Sequence, residues 1–315
     1  MTAVLVTGGA GFIGSHVADA YLAAGYSVAV LDDLSTGRRE NVPTAARFVR
    51  ADVGSPEARD LLVDGGFTVL NHHAAQMDVR VSVTDPALDA RINLLGLLNL
   101  LEGARRGGVT RVVFASSGGV VYDELGPLPH REEAPKLPVS PYGVSKLASE
   151  YYLAAYARLY RLEVVSLRYA NVYGPRQNPH GEAGVVAIFG SRVRAGQALT
   201  VFGDGEQTRD YVFVEDVARA NLGATRAPVG PMDSIDAVAF NVGTGVETSV
   251  NRLARLMLDA AGRTVPVSRE PARAGELLRS ALDCAKAGRA WDWRPAVSLA
   301  EGLKRTYDWM GEVAA

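Results

Sequence analysis

The sequence contains a single cysteine, Cys284, in 315 residues, so no disulfide can form within the chain. It lacks any apolar run near the roughly 18 to 20 residues that a helix needs to cross a bilayer, and its first residues do not have the composition of a signal peptide. The chain also has no large excess of charge of either sign, because 33 basic and 35 acidic residues leave a net charge of −2 at pH 7. The five histidines show no spacing typical of a metal site. We therefore expect a cytoplasmic protein with no metal, no membrane partner and no nucleic-acid partner.

Apolar residues, in contrast, are plentiful, and at 48% of the chain they can build a sizeable core. Through the first half of the sequence, apolar runs of strand length alternate with helix-length segments. Repeated units of this kind predict an α/β fold with a doubly wound parallel (Rossmann) sheet. The predicted strands are Ala3–Thr7, Val28–Leu31, Ala46–Val49, Thr68–Asn71, Arg111–Ala115 and Val164–Leu167, and the predicted helices are Phe12–Ala24, Pro86–Arg106 and Pro141–Tyr160.

The regular alternation stops after Tyr173, where glycines and prolines cluster. We predict a dinucleotide-binding domain over residues 1–173. Residues 174–315 are predicted to form a smaller, mixed α/β lobe that binds substrate and is interleaved with the first domain.

A glycine-rich segment from Gly8 to Gly14 follows the first predicted strand and opens the first predicted helix. Glycines at these positions allow a tight turn and a close approach of backbone to a pyrophosphate, which the helix N-terminus then holds. Asp32 ends the second strand, 18 residues after Gly14, near the spacing expected of a carboxylate that binds the adenosine ribose. That carboxylate favours NAD, while the neighbouring Arg38 and Arg39 leave NADP as the alternative.

Tyr142 and Lys146 lie four residues apart at the start of the predicted helix Pro141–Tyr160, so they share one face of it. Only four of the 33 basic residues are lysines, which makes a lysine at this spacing more notable. A phenol has an ordinary pKa of about 10, and a nearby ammonium together with an oxidised nicotinamide lowers it. We predict that Tyr142 is a catalytic base. The alternative is a helix-start aromatic beside a solvated lysine.

These motifs together resemble the extended short-chain dehydrogenase/reductase family, and within it the NAD-dependent nucleotide-sugar 4-epimerases. The resemblance covers nearly the whole chain. Besides the glycine segment, Asp32 and the Tyr142/Lys146 pair, it rests on His72-His73-Ala74-Ala75, Asn93, Ser116-Ser117, the segment from Arg168 to Gly174, Arg209-Asp210-Tyr211-Val212 and the segment from Arg273 to Glu276.

The resemblance implies an enzyme that inverts C4 of a UDP-hexose, such as UDP-glucose or UDP-galactose, through a 4-keto sugar. It also implies a homodimer formed through the helices near Pro86–Arg106 and Pro141–Tyr160. It assigns Tyr142, Lys146 and Ser117 to catalysis. Cofactor contacts are assigned to Gly8, Gly11, Phe12, Ile13, Asp32, Asp52, Val53, Ala74, Ala75, Asn93, Tyr142, Lys146 and Tyr169, and substrate contacts to Asn171, Thr200, Phe202, Arg209, Arg273 and Glu276. The alternatives are another nucleotide-sugar epimerase or reductase of the family, or a catalytically silent NAD-binding sensor.

One position departs from the family pattern. Gly118 occupies the place, counted back from Tyr122, where these epimerases carry a serine or threonine that relays the proton. Ser117 or Ser116 could replace it, a water could do so, or Tyr142 could act directly; of these we favour Ser117.

The segment from Gly118 to Val121 also lacks the acidic residues that sugar-nucleotide dehydratases carry there, which argues against elimination chemistry. Ser280 lies where some members of the family carry a bulky residue that excludes N-acetyl groups, so the resemblance implies that N-acetyl sugars are accepted as well.

Overall fold

The computed structural model describes residues 2–179, 184–272 and 277–312. Seven parallel strands form one large sheet in the order β10-β6-β5-β4-β1-β2-β3. This order reverses direction between β1 and β4, as in a doubly wound fold. The strands of the described chain are β1 (Ala3–Thr7), β2 (Ser27–Asp32), β3 (Arg47–Arg50), β4 (Val69–His72), β5 (Arg111–Ser117), β6 (Glu163–Tyr169), β7 (Asn171–Tyr173), β8 (Leu199–Phe202), β9 (Thr208–Phe213), β10 (Ala239–Val242), β11 (Glu247–Ser249) and β12 (Val267–Glu270).

Helices cover both faces of this sheet, and β1 shows why. Leu5 points into a core shared with the helices on one face, while Val4 and Val6 point into a second core on the other face. The helices are α1 (Phe12–Ala23), α2 (Pro56–Asp64), α3 (Val79–Thr84), α4 (Pro86–Ala90), α5 (Gly96–Gly107), α6 (Pro141–Tyr160), α7 (Val185–Arg194), α8 (Val214–Arg226), α9 (Val250–Ala261), α10 (Ala285–Trp291) and α11 (Leu299–Glu312). None of the helices in the described ranges combines the length and the apolar character needed to span a membrane.

All six predicted strands are present, with ends shifted by no more than two residues. The long helix predicted over Pro86–Arg106 is interrupted, because a π-helical segment at Arg91–Leu95 joins α4 to α5. The insertion widens one turn, a feature that often occurs at functional sites. The predicted helix is therefore present over the whole range, with one π-helical turn that the sequence pattern did not indicate.

Two small sheets, β11-β9-β7 and β12-β8, follow the large one along the chain. A separate apolar cluster packs them against α7, α9 and α11, with Phe189, Tyr211, Phe213 and Leu253 among its buried members. The second half of the sequence also returns to the large sheet, because Ala239–Val242 pairs with β6. The boundary at residue 173 and the role of 174–315 as a substrate-binding lobe stay predictions.

Candidate active site

The glycine-rich turn between β1 and α1 brings three backbone segments into direct contact. Gly8 has φ +68°, and its N–H donates to the Leu31 carbonyl at 2.8 Å. A Cβ on Gly8 would lie 2.6 Å from the Ala74 nitrogen, and one on Gly14 would lie 2.3 Å from the Gly8 oxygen. Since any side chain there would push backbone away, only glycine permits this turn. The turn therefore presents the first N–H groups of α1 at the carboxyl ends of β1 and β4.

Replacing Gly14 with alanine should weaken both the turn and its cofactor affinity. The new Cβ would meet the Gly8 carbonyl, which is backbone and cannot rotate away, so we expect overpacking of about 1–3 kcal/mol in the free energy of unfolding. Urea unfolding and calorimetric titration with NAD measure the two effects. Gly230→Ala is the matched control, because nothing lies within 4 Å of a Cβ built there. Equal NAD affinity in both variants would contradict the assignment of this turn.

Asp32 stands beside the glycine turn at the end of β2. Its Oδ2 accepts from the Ala10 N–H and its Oδ1 from the Leu34 N–H, both at 2.9 Å. Burial raises the pKa of this carboxyl, and the two backbone donors oppose that rise. Two oxygens fixed in this way keep lone pairs for further donors such as ribose hydroxyls.

Arg38 and Arg39, the basic residues that made NADP the alternative cofactor, both have partners in the structure. The Arg38 guanidinium lies 3.9 Å from the Glu40 carboxylate, and that of Arg39 lies 4.7 Å from the centre of the Phe48 ring. A buried carboxylate with paired arginines nearby suits a ribose hydroxyl better than a 2′-phosphate.

The other predicted cofactor residues differ in their surroundings. Asp52 is exposed, and its Oδ1 accepts from the Gly54 N–H at 2.6 Å, so its carboxylate caps a turn. Val53 is buried against the position of Gly96. Tyr169 is the last residue of β6 and pairs with Ser117 at the end of β5. Its hydroxyl accepts from the Asn221 amide at 2.8 Å. Cofactor contact by these residues, and by Phe12, Ile13, Ala74, Ala75 and Asn93, stays a prediction.

The Tyr142/Lys146 pair lies in the first two turns of α6. Ser140 caps this helix by accepting from the Gly143 N–H, and Pro141 occupies its first position. The Lys146 Nζ donates to the Ala115 carbonyl at 2.9 Å and lies 5.7 Å from the centre of the Tyr142 ring. The two side chains thus meet at the end of β5.

Burial affects the two groups of this pair in opposite ways. It lowers the pKa of Lys146 to about 8, although the carboxylates of Asp89 and Glu150 oppose that change. Burial first, and the Asp89 charge second, raise the pKa of Tyr142. Burial and Asp89 therefore favour the neutral phenol, and the lowering expected from the ammonium together with an oxidised nicotinamide stays a prediction.

The structure distinguishes the two serines at the end of β5. The Ser116 hydroxyl is buried and donates to the Glu150 Oε1 at 2.6 Å. Ser117, the last residue of the strand, is half-buried and pairs with Tyr169 of β6. A Cβ on Gly118 would lie 2.6 Å from the Leu282 side chain. The Leu282 side chain thus occupies the space that a side chain at position 118 would need, and Ser117 is the serine whose hydroxyl is not held by Glu150.

A buried ionic cluster packs against β5 and β6 close to the two serines. Arg168 is fully buried, and its five N–H groups donate to Glu150, Asp236, the Tyr122 hydroxyl and the Glu132 carbonyl. The shortest of these bonds joins the Arg168 Nη2 to the Glu150 Oε2 at 2.6 Å. The cluster therefore ties α6 to β5 and β6 at Ser116, the residue before Ser117.

The predicted substrate residues that the structure describes lie on β7, β8 and β9. Asn171 and Arg209 belong to neighbouring strands of one small sheet, and the Arg209 Nη1 donates to the Thr208 carbonyl at 2.8 Å. Thr200 and Phe202 belong to β8, where the Thr200 hydroxyl accepts from Arg192. Arg273 and Glu276 lie outside the described residues. Substrate contact by these six residues stays a prediction.

Comparison with known proteins places this arrangement in a family. The sequence profile of the NAD-dependent epimerase/dehydratase family matches residues 4–243. The chain belongs to that family. Membership confirms the predicted resemblance, the Rossmann fold and the dependence on NAD.

Individual members of the family resemble the chain over nearly its whole length. UDP-glucose 4-epimerase of Mycolicibacterium smegmatis is 46% identical over 96% of this chain and 97% of its own. The crystal structure of UDP-glucose 4-epimerase of Thermotoga maritima with UDP-glucose superposes with a TM-score of 0.95, at 43% identity over all of both chains. That of the Thermus thermophilus enzyme with NAD gives 0.90, at 47% identity over 98% of this chain and 99% of the other.

Proposed function

We propose that the protein is an NAD-dependent UDP-glucose 4-epimerase, which inverts C4 of a UDP-hexose and interconverts UDP-glucose and UDP-galactose. The observation that carries the proposal is the position of Lys146, which contacts both the Tyr142 ring and the Ala115 carbonyl of β5, the strand that ends at Ser117. The same fold, at 43% and 47% identity, holds UDP-glucose in one relative and NAD in another.

The residues present fit a bound dinucleotide. At Gly8, Gly11 and Gly14 a Cβ would meet backbone atoms of the turn itself or of Ala74, and this close packing places the N-terminus of α1 where it suits the pyrophosphate. Asp32 would bind the adenosine ribose. Phe12, Ile13, Ala74, Ala75, Asn93 and Tyr169 would complete the cleft, with Asp52 and Val53 beside the adenine. When bound, NAD⁺ supplies a hydride acceptor that later returns the same hydride.

The chain's own residues handle the proton. Tyr142, as phenolate, would take the proton from the 4-hydroxyl group while the C4 hydrogen leaves as hydride, which produces a 4-keto sugar. Lys146, held by the Ala115 carbonyl, would supply the positive charge that stabilises the phenolate. Ser117 would relay the proton between sugar and phenol. After the keto sugar rotates in the site, C4 would regain its hydride on the opposite face while Tyr142 returns the proton to the C4 oxygen, which restores a hydroxyl group of inverted configuration.

The contacts that hold the substrate must allow the sugar to rotate between the two hydride transfers. Arg209 and Arg273 would hold the diphosphate, because guanidinium groups bind phosphate oxygens bidentately. Asn171, Thr200, Phe202 and Glu276 would hold the rest of the UDP moiety. Tight contacts to UDP combined with few contacts to the sugar let the hexose present either face to the cofactor.

We also propose a homodimer through α5 and α6 and the π-helical segment before α5. Tyr151 and Tyr152 of α6 are exposed, as is Leu95 of the π-helical segment, whereas Tyr156 donates to Glu102 of α5 at 2.7 Å within the subunit. Large apolar side chains exposed on adjacent helices are typical of a subunit interface.

Incubation with UDP-galactose tests the proposed function. We expect UDP-glucose to appear without any added reductant, because the hydride removed from C4 returns to it. Tight NAD binding without interconversion would instead favour the sensor, and a 4-keto-6-deoxy product would favour a dehydratase. Parallel incubation with UDP-N-acetylglucosamine tests the expectation from Ser280, and turnover of UDP-glucose alone would contradict it.

A further inference from the structure

Asp89 of α4 is a fully buried carboxylate to which no motif assigned a function. Its Oδ1 accepts from the Gln76 Nε2 and from the Asn93 Nδ2, each at 3.0 Å. Its Oδ2 accepts from the Ser145 hydroxyl at 2.5 Å. Three elements of the site therefore converge on a single side chain: the segment after β4, the π-helical segment and α6.

The backbone fixes which atoms face Asp89. The Asn93 Oδ1 accepts from the Gln76 N–H and its Nδ2 donates to the Gln76 carbonyl, both at 2.9 Å. The Gln76 Oε1 accepts from the Asp78 N–H at 2.6 Å. Each amide must therefore turn its NH₂ group toward Asp89. Because an ionised carboxylate only accepts hydrogen bonds, this set of donors matches the charged form.

We propose that Asp89 is a positioning residue of the active site, which fixes the Tyr142/Lys146 turn of α6 relative to the Gln76–Asn93 wall of the cofactor cleft and acts on both catalytic side chains through its charge. Ser145, the residue that binds Asp89 on α6, lies between the two catalytic residues in sequence. Asn93 is among the residues predicted to contact the cofactor. Any displacement of Asp89 would therefore move the proton acceptor relative to the hydride acceptor.

The charge of Asp89 opposes the phenolate and supports the ammonium. It raises the pKa of Tyr142, and it raises that of Lys146, which burial lowers to about 8. Glu150, farther along α6, also supports the Lys146 charge. His72 and His73, at the end of β4, face Lys146 too, but burial first and Lys146 second lower their pKa values to about 3, so both stay neutral at working pH.

The variant Asp89→Asn removes the charge and keeps the shape. Its Oδ1 can accept from both amides, and its Nδ2 can donate to the Ser145 hydroxyl. Loss of the negative charge lowers the pKa of Tyr142 and that of Lys146, so both limbs of the pH profile of kcat move to lower pH, by about one unit. A residue with only a structural role would reduce kcat without displacing the profile.

Ser145→Ala provides the complementary variant, because it keeps the charge and removes one hydrogen bond that partly neutralises it. We expect both limbs to move to higher pH, opposite to Asp89→Asn. Should Asp89→Asn fail to fold, the direction in Ser145→Ala decides by itself. Limbs that stay fixed, or that move the other way, in a folded variant would overturn the proposal.

A spectroscopic titration separates this inference from the proposed function, on which only its kinetic arm rests. Ultraviolet difference titration of NAD-loaded protein, with Tyr142→Phe as the reference, follows the Tyr142 phenolate without any turnover. We expect the titration of Asp89→Asn to begin at lower pH than that of the wild type. A downward shift without epimerisation would refute the proposed function alone, whereas epimerisation without a shift would refute the role of Asp89 alone.

Discussion

Tyr142→Phe should lower kcat for UDP-galactose by about 10²- to 10⁴-fold, the contribution expected of a positioned general base. The substitution removes only the phenolic oxygen. The ring stays available for its contact with Lys146, whose Nζ lies 5.7 Å from the ring centre. Cofactor binding should therefore survive. Product analysis measures the turnover, and the NAD released on denaturation measures the retained cofactor.

Tyr160→Phe is the matched control for this experiment, because Tyr160 is not one of the side chains assigned to the proposed subunit interface. It removes the same atom from the same helix, but at an exposed position, so we expect turnover close to that of the wild type. The assignment of Tyr142 as base fails if its phenylalanine variant keeps a tenth or more of the wild-type kcat. Loss of both turnover and NAD would point to a cofactor contact rather than a base.

Six of the seven strands of the large sheet could be predicted, because each of the six carries its own signal. β1 and β2 are apolar on both faces, and a helix follows β1 after a turn rich in glycine. β10 carries no comparable signal. Its four residues, Ala239–Val242, follow a stretch without regular periodicity and become a strand only by pairing with β6, more than 70 residues earlier in the chain. Pairing over such a distance depends on the whole fold and not on local pattern.

The same distinction applies to the active site. The glycine turn and the Tyr142/Lys146 spacing are local, so the sequence predicts them. The reason for Gly118 is not local, because the side chain that fills its space is Leu282. Nor could sequence spacing predict Asp89, whose partners come from separate elements. The sequence also could not predict the direction in which the Tyr142 pKa is shifted, since that shift depends mainly on burial.

Glu150→Gln should destabilise the protein by about 3–5 kcal/mol, the usual cost of removing one partner from a buried ion pair. Glu150 is buried, accepts from three N–H groups or hydroxyls and binds Arg168 at 2.6 Å. A glutamine would turn an NH₂ group toward one of these donors and leave the guanidinium with Asp236, at 2.9 Å, as its remaining carboxylate partner. Since whole domains are stable by only about 5–15 kcal/mol, urea unfolding should detect this loss clearly.

Asp308→Asn controls for the loss of an ion pair as such. Asp308 pairs with Lys304 one helical turn away on α11, and both side chains are about half exposed, so we expect roughly 0.3–0.5 kcal/mol. The difference between the two variants measures what burial adds. A Glu150→Gln variant as stable as Asp308→Asn would mean that Asp236 alone compensates Arg168. Beyond stability, the Ser116 hydroxyl would lose its carboxylate partner and the Lys146 ammonium would lose the support of the Glu150 charge, so reduced turnover in the folded Glu150→Gln protein would link this cluster to the active site.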